Sequence, residues 1–303
     1  MAAISATCVA TGAQDTILLA RTRHVQMTGL RIRWVPTCSR VCFFTHSSIH
    51  QTARGQHVPN GVNVVQSLSS HTESRASLYK AWSVHVFTAS GVLLGTMALL
   101  SLIDNNPVAC LLWLGAAMMI DGVDGTLARK YEVKTILPHF DGSTLDMVID
   151  YLTWAFIPAL FIYYFIDLPS NFSLLAVFII LLSSMFCFCN TNMKSQDNYF
   201  VGFPAAWNIA AAYFYILDLP PFITFASIVF LAILTVTKMK FLHPFRVRQF
   251  MPLNIAITLV WCACTTSLVL TSPEHAAWAL WGWGIASVYF MGMCVWRTAQ
   301  EAF

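Results

Sequence analysis

The stretch MMIDGVDGTLARKYEVKTILPHFDGSTLDMVIDYLTW, residues 118–154, sets carboxylates into a chain that is otherwise poor in charge. An Asp at the centre of a membrane helix costs roughly 2.5–3.5 kcal/mol, so several kept together require a cation or an aqueous cavity. Asp121, Asp124, Gly125 and Ala128 are spaced i, i+3, i+4 and i+7, which confines them to one stripe of an α-helix. Gly142, Asp146 and Asp150 follow at i, i+4 and i+8 and form a second stripe. Pro138 and Gly142 interrupt any single helix running through both. Two consecutive antiparallel helices therefore bring four acidic side chains face to face at one end. Without cations those carboxylates repel, and a bound divalent ion keeps them ionised. An all-oxygen donor set suits Mg²⁺ or Mn²⁺ better than zinc. Two such ions are a recurrent solution for phosphoryl-type displacement. Gly125 and Ala128 leave room for a diphosphate beside the carboxylates. Arg129 at the helix end offers a forked phosphate contact, or equally a membrane-edge anchor.

The surroundings of this stretch decide the fold class. Of 303 residues 57% are hydrophobic and 10% charged, where a soluble domain carries about a quarter charged. Apolar runs recur near the ~20 residues that a helix needs to cross ~30 Å of hydrocarbon. Eight are expected, over 81–103, 107–128, 143–166, 172–191, 203–217, 221–239, 252–271 and 277–297. The fold expected is an all-α, polytopic membrane helix bundle. Arg129, Lys130, Lys134, Lys194, Lys238, Lys240, Arg246, Arg248 and Arg297 all fall on one side of that map. The opposite loops, 104–106, 167–171, 218–221 and 271–275, contain no Lys or Arg. By the positive-inside rule both termini are cytoplasmic.

Residues 1–78 differ from the rest. Ser, Thr, His and Arg dominate, and Asp15 and Glu73 are their acidic residues. Such a composition predicts disorder, as an Arg-rich transit-like segment or as non-native sequence read from an early start codon. The net charge of +3 points to no nucleic-acid partner. Cys187 and Cys189, two apart, point to opposite sides of a helix and cannot share a metal; the cysteines in apolar runs read as buried thiols.

Asp121, Asp124, Gly125, Ala128, Arg129, Gly142, Asp146 and Asp150 match the signature D-x-x-D-G-x-x-A-R…G-x-x-x-D-x-x-x-D. On these residues the chain resembles the CDP-alcohol phosphatidyltransferase family, over residues 79–303. Twelve residues, Lys130 to Asp141, separate the Arg from the second Gly. That gap is longer than in most of the family and is similar to that of its bacterial choline-using branch. KAWSVHVFTASG from Lys80, NTNMKSQDNYFVGFPAAWN from Asn190 and KFLHPFRVR from Lys240 extend the likeness. The resemblance implies that Asp121, Asp124 and Asp146 ligate Mn²⁺ or Mg²⁺, as two ions, and that Asp150 both helps to hold metal and acts as general base. It places Gly125, Ala128, Arg129 and Gly142 at the CDP site, with His85 and Thr88 as further nucleotide contacts. Its substrates would be CDP-diacylglycerol and choline, its product CMP, and its setting a bacterial cytoplasmic membrane with the site facing the cytoplasm. A homodimer is compatible with it.

The acceptor is less legible than the donor. A quaternary ammonium requires aromatic faces, for which Tyr151, Trp154, Tyr199 and Trp207 are candidates, although packing or an interfacial belt explains each as well. Serine, inositol, a glycerol phosphate, or a CDP-choline reaction with diacylglycerol stand as alternatives. So does a cation transporter, but transport sites tend to lie at the bilayer midplane rather than at helix ends.

Overall fold

The computed structural model describes residues 75–191, 195 and 197–302. The disorder expected for 1–78 therefore falls, for 1–74, outside the described residues. The first helix, α1 (Arg75–Ile103), begins within the last residues assigned to that extension. Its inward stripe is Ala81, Val84, His85, Thr88, Gly91, Gly95 and Ala98, all buried and at helical spacing. The glycines let it approach closely. A Cβ on Gly91 would lie 2.9 Å from Cγ2 of Ile149, and one on Gly95 would lie 3.2 Å from Cγ2 of Thr153.

A short turn leads to α2 (Pro107–Lys130). Asn106 starts it by accepting a hydrogen bond from the Ala109 N–H at 3.0 Å, and Pro107 occupies the first position, where its missing N–H costs nothing. Next come the single turn α3 (Val133–Ile136) and a continuous helical stretch, Gly142–Phe165. Asp141 opens that stretch by accepting from the N–H groups of Ser143 and Thr144. The stretch has three parts: α4 (Gly142–Asp150), a π-helical segment (Tyr151–Phe156) and α5 (Ile157–Phe165). In the π segment the Ile157 N–H reaches back to the Leu152 carbonyl. Pro158, at the first turn of α5, has no N–H to donate to the turn before it.

The remaining elements are α6 (Ser173–Cys189), β1 (Phe200–Val201), α7 (Trp207–Leu217), α8 (Pro221–Leu234), β2 (Lys240–Phe241), α9 (Met251–Leu270) and α10 (Ala277–Ala302). The two short strands pair antiparallel, Phe200 opposite Phe241 and Val201 opposite Lys240. The core runs between α2, the Gly142–Phe165 stretch, α6, α7 and α9. Large apolar side chains also face outward, among them Phe222 at 75% and Leu182 at 71% exposure. This is the surface of a protein solvated by lipid.

Among the described residues, five helical stretches are long and apolar enough to cross a membrane: Arg75–Ile103, Pro107–Lys130, Gly142–Phe165, Met251–Leu270 and Ala277–Glu301. The chain is thus an integral membrane helix bundle, as expected. The other three expected spans coincide with shorter apolar helices. The expected 203–217 is helical only from Trp207, because Pro204 and the left-handed Ala205 (φ 54°) hold the preceding chain off the helix. Its 11 residues rise only about 16 Å. The expected 221–239 stops at Leu234, where the chain turns toward β2. Cys187 is buried and Cys189 exposed, on different sides of α6 as their spacing requires.

Candidate active site

Asp121 from α2 and Asp146 and Asp150 from α4 meet at one point. Each offers a carboxylate oxygen, and those oxygens all lie within 4.8 Å of one another. The i, i+4 spacing of Asp146 and Asp150 turns both toward α2. The three are partly buried, in a cavity of about 10 Å³ lined also by Thr88, Asp124 and Thr153. That is the room of a single water-sized sphere. Three converging carboxylates around so small a space fit a hard divalent cation, whose ligands are oxygens at close range.

Asp124 lines the same cavity but stands outside the converging trio. It is 5% exposed, and its carboxylate accepts from the Thr88 hydroxyl and the Gly125 N–H. The four-carboxylate cluster expected from spacing is therefore three groups at one point and a fourth on the cavity wall. Thr88 is brought to the site. His85, one turn earlier on α1, is buried with its ring centroid 4.4 Å from that of Phe140 and 5.9 Å from that of Trp82. Among the described residues its Nε2 has no hydrogen-bond partner.

The small residues divide by role. Gly142 lies directly beneath His85, since a Cβ there would come within 2.4 Å of Cε1 of the ring. Gly125 faces two guanidinium groups: its Cβ would be 3.2 Å from Nη2 of Arg246 and 3.4 Å from Nη1 of Arg129. The open room expected beside Gly125 thus borders on two cations. Ala128 has a packing role. With Leu127 and Tyr131 it packs on Ala81, Val84 and Val133, where its size serves close helix packing. Arg129 also donates to the Thr126 hydroxyl at 3.1 Å.

The four candidate choline aromatics are not brought together. Trp207 is 0% exposed in the core, edge-on to Phe203. Tyr199 is 2% exposed with the Arg297 guanidinium 5.8 Å from its ring centre. Burial, reinforced by the nearby Asp197 carboxylate, raises its phenol above the usual range. Tyr151 meets Phe188 edge-on, and Trp154 packs against the core. None of the four lines the carboxylate cavity.

Two residues at the site were not among those expected. Thr153 continues the stripe of Asp146 and Asp150 at i+7 and i+3 and lines the cavity, its hydroxyl donating to the Ile149 carbonyl at 3.0 Å. Arg246 comes from the loop after β2, far along the chain. That loop is held by the β1–β2 pair and by α10, through Lys240 N–H to the Thr298 hydroxyl (2.9 Å) and an ion pair of Lys240 with Glu301 (3.2 Å). Arg297 of α10 pairs in turn with Asp197 at 2.6 Å and Glu301 at 2.8 Å. Asp197 also accepts from the Ser195 hydroxyl.

The CDP-alcohol phosphatidyltransferase family model matches residues 84–269. Among curated proteins, the chain is 64% identical over 224 residues to a phosphatidylcholine synthase of Pseudomonas aeruginosa, covering 74% of this chain and 94% of that one. It is 37% identical over 215 residues to the protein of that name from Brucella melitensis, covering 70% and 78%. To that from Borreliella burgdorferi it is 34% identical over 186 residues, covering 61% and 80%.

Proposed function

We propose that this chain, which belongs to the CDP-alcohol phosphatidyltransferase family, condenses CDP-diacylglycerol with choline to give phosphatidylcholine and CMP. The observation that carries the reading is the meeting of Asp121, Asp146 and Asp150 within 4.8 Å across two helices. Relatives named phosphatidylcholine synthase support choline as the acceptor. Catalysis is assigned to residues 79–303, with 1–78 as an extension to them.

In this reading Asp121, Asp146 and Asp150 hold a divalent cation, Mn²⁺ or Mg²⁺, with Asp124 beside them for a second. Bound there, the ions neutralise phosphate oxygens and stabilise the entering and leaving oxygens of a displacement. Arg129 grips a donor phosphate through its planar fork. Thr88 fixes the orientation of Asp124 by its hydrogen bond. The acyl chains stay in the bilayer while choline arrives from the water phase. Asp150 takes the proton of the choline hydroxyl. The freed oxygen forms a bond to the lipid-side phosphorus, the bond from that phosphorus to the bridging oxygen breaks, and CMP departs with the electron pair. Basic residues at the carboxylate ends of the helices favour a cytoplasmic orientation in a bacterial inner membrane, with eight crossings and both termini inside.

The test incubates membranes containing the protein with CDP-diacylglycerol, Mn²⁺ and labelled choline, with serine, inositol and glycerol phosphate as parallel acceptors. Label in phosphatidylcholine with matching CMP release is expected. CMP release with one of the other acceptors and not with choline would refute the assignment.

A further inference from the structure

The loop after β2 lies over the glycine face of α2. Cβ atoms built on Gly122 and Gly125, one turn apart, would meet Cε2 of Phe245 at 3.8 Å and Nη2 of Arg246 at 3.2 Å. A tight turn fixes this approach, with the N–H groups of Arg246 and Val247 both donating to the His243 carbonyl at 3.1 Å. Val247 is buried, whereas Arg248 beyond it is exposed. The loop therefore delivers one arginine to α2 and leaves the next in solvent.

That arginine stops beside another. Arg129 and Arg246 flank the same point next to Gly125. Two guanidiniums side by side repel, and an anion between them relieves that repulsion. Their flat forks match the oxygens of a phosphate group, which can take hydrogen bonds from both sides at once. Asp124, on the wall of the metal cavity, lies close enough to attract both. The pair thus borders directly on the carboxylate site.

We infer that Arg246 is a donor-binding residue: with Arg129 it clamps a phosphate of the cytidine diphosphate group across Gly125. This rests on the CDP-diacylglycerol reading above and adds to it a residue from a distant loop. Choline carries no phosphate, so Arg246 acts on donor and nucleotide product, not on acceptor affinity. Because β1, β2 and α10 hold the loop, their pairing sets the position of the clamp.

The experiment uses the full chain, purified in detergent micelles with Mn²⁺, as wild type, Arg246→Ala, Arg246→Lys and the exposed control Arg248→Ala. Initial rates give KM for CDP-diacylglycerol and choline and the inhibition constant of CMP; melting with and without CMP measures nucleotide binding independently of turnover. Arg246→Ala should raise the donor KM and weaken CMP inhibition roughly ten- to hundredfold, the size of a lost charged hydrogen bond. The choline KM should stay within about twofold. Arg246→Lys should recover part of the loss, since a point charge lacks the fork, and Arg248→Ala should match wild type. Unchanged donor KM and CMP binding in Arg246→Ala would overturn the clamp. So would a change confined to the choline KM, or one seen only as an altered response to anionic phosphatidylglycerol in the micelles. If Arg246→Ala does not fold, Arg246→Lys decides alone: donor KM and CMP binding equal to wild type count against the clamp. A wild type that binds CMP but releases none from CDP-diacylglycerol would instead refute the proposed reaction, leaving the CMP melting shift to judge Arg246.

Discussion

The imidazole of His85 occupies the space that any side chain at Gly142 would need, 2.4 Å from the nearest possible Cβ. The ring has little freedom to withdraw, because Phe140 and Trp82 stand against it. Glycine at 142 is therefore a packing requirement of the α1–α4 contact as well as the start of α4. Gly142→Ala should destabilise by about 1–3 kcal/mol through overpacking, read as a lower melting temperature in detergent. Adding His85→Ala to that variant should restore part of the loss. Melting of Gly142→Ala indistinguishable from wild type would show that the ring moves aside freely.

The converging carboxylates predict a stability signature that needs no turnover. With no cation bound, Asp121, Asp146 and Asp150 repel one another in a half-buried place. Chelation should lower the melting temperature of wild type, and Mn²⁺ should raise it in proportion to occupancy. Asp121→Asn removes one repelling charge and one ligand. It should melt above chelated wild type and lose most of the Mn²⁺-dependent rise. A full Mn²⁺ response in that variant would mean that the ion binds elsewhere.

Asp150→Asn separates proton transfer from binding. A general base contributes typically 10²- to 10⁴-fold, so kcat should fall by about that range. CMP binding, measured by melting, should change far less, because Asn keeps the shape and one oxygen. Activity within about threefold of wild type would remove Asp150 from the base role.

What sequence made legible was local periodicity. The i, i+4, i+8 run of Gly142, Asp146 and Asp150 and the stripe on α2 give the facing carboxylates directly, because α-helical spacing fixes direction before any tertiary contact forms. Ala128 shares the stripe and also packs toward Val133 and Ala81, since a stripe is wide enough to serve two neighbours. Sequence reading drew α7 and α8 too long, because hydropathy cannot see that Ala205 turns left-handed or that Thr235–Lys240 leaves for a strand. Arg246 was legible as a basic residue on the expected side of the membrane, not as a neighbour of Gly125. Its place beside Gly125 depends on a two-residue ladder and on α10, contacts for which one sequence holds no period.

That scaffold makes a pH prediction. Asp197 is 35% exposed; burial works against its charge, but the Ser195 hydroxyl and the Arg297 guanidinium outweigh it and hold the carboxyl below the ordinary range. A carboxyl whose pKa is lower folded than unfolded contributes stability above its unfolded value of about 3.9, and the contribution is lost as pH falls through the folded value. Asp197→Asn should therefore melt below wild type at pH 7, modestly, because solvent and salt screen so exposed a pair. The gap should narrow as pH drops beneath about 4 and nearly close once the wild-type carboxyl is protonated. Raising salt at pH 7 should narrow it too. A gap that persists unchanged into acid would mean that Asp197 acts through its shape in the Ser195 turn and not through its charge toward Arg297.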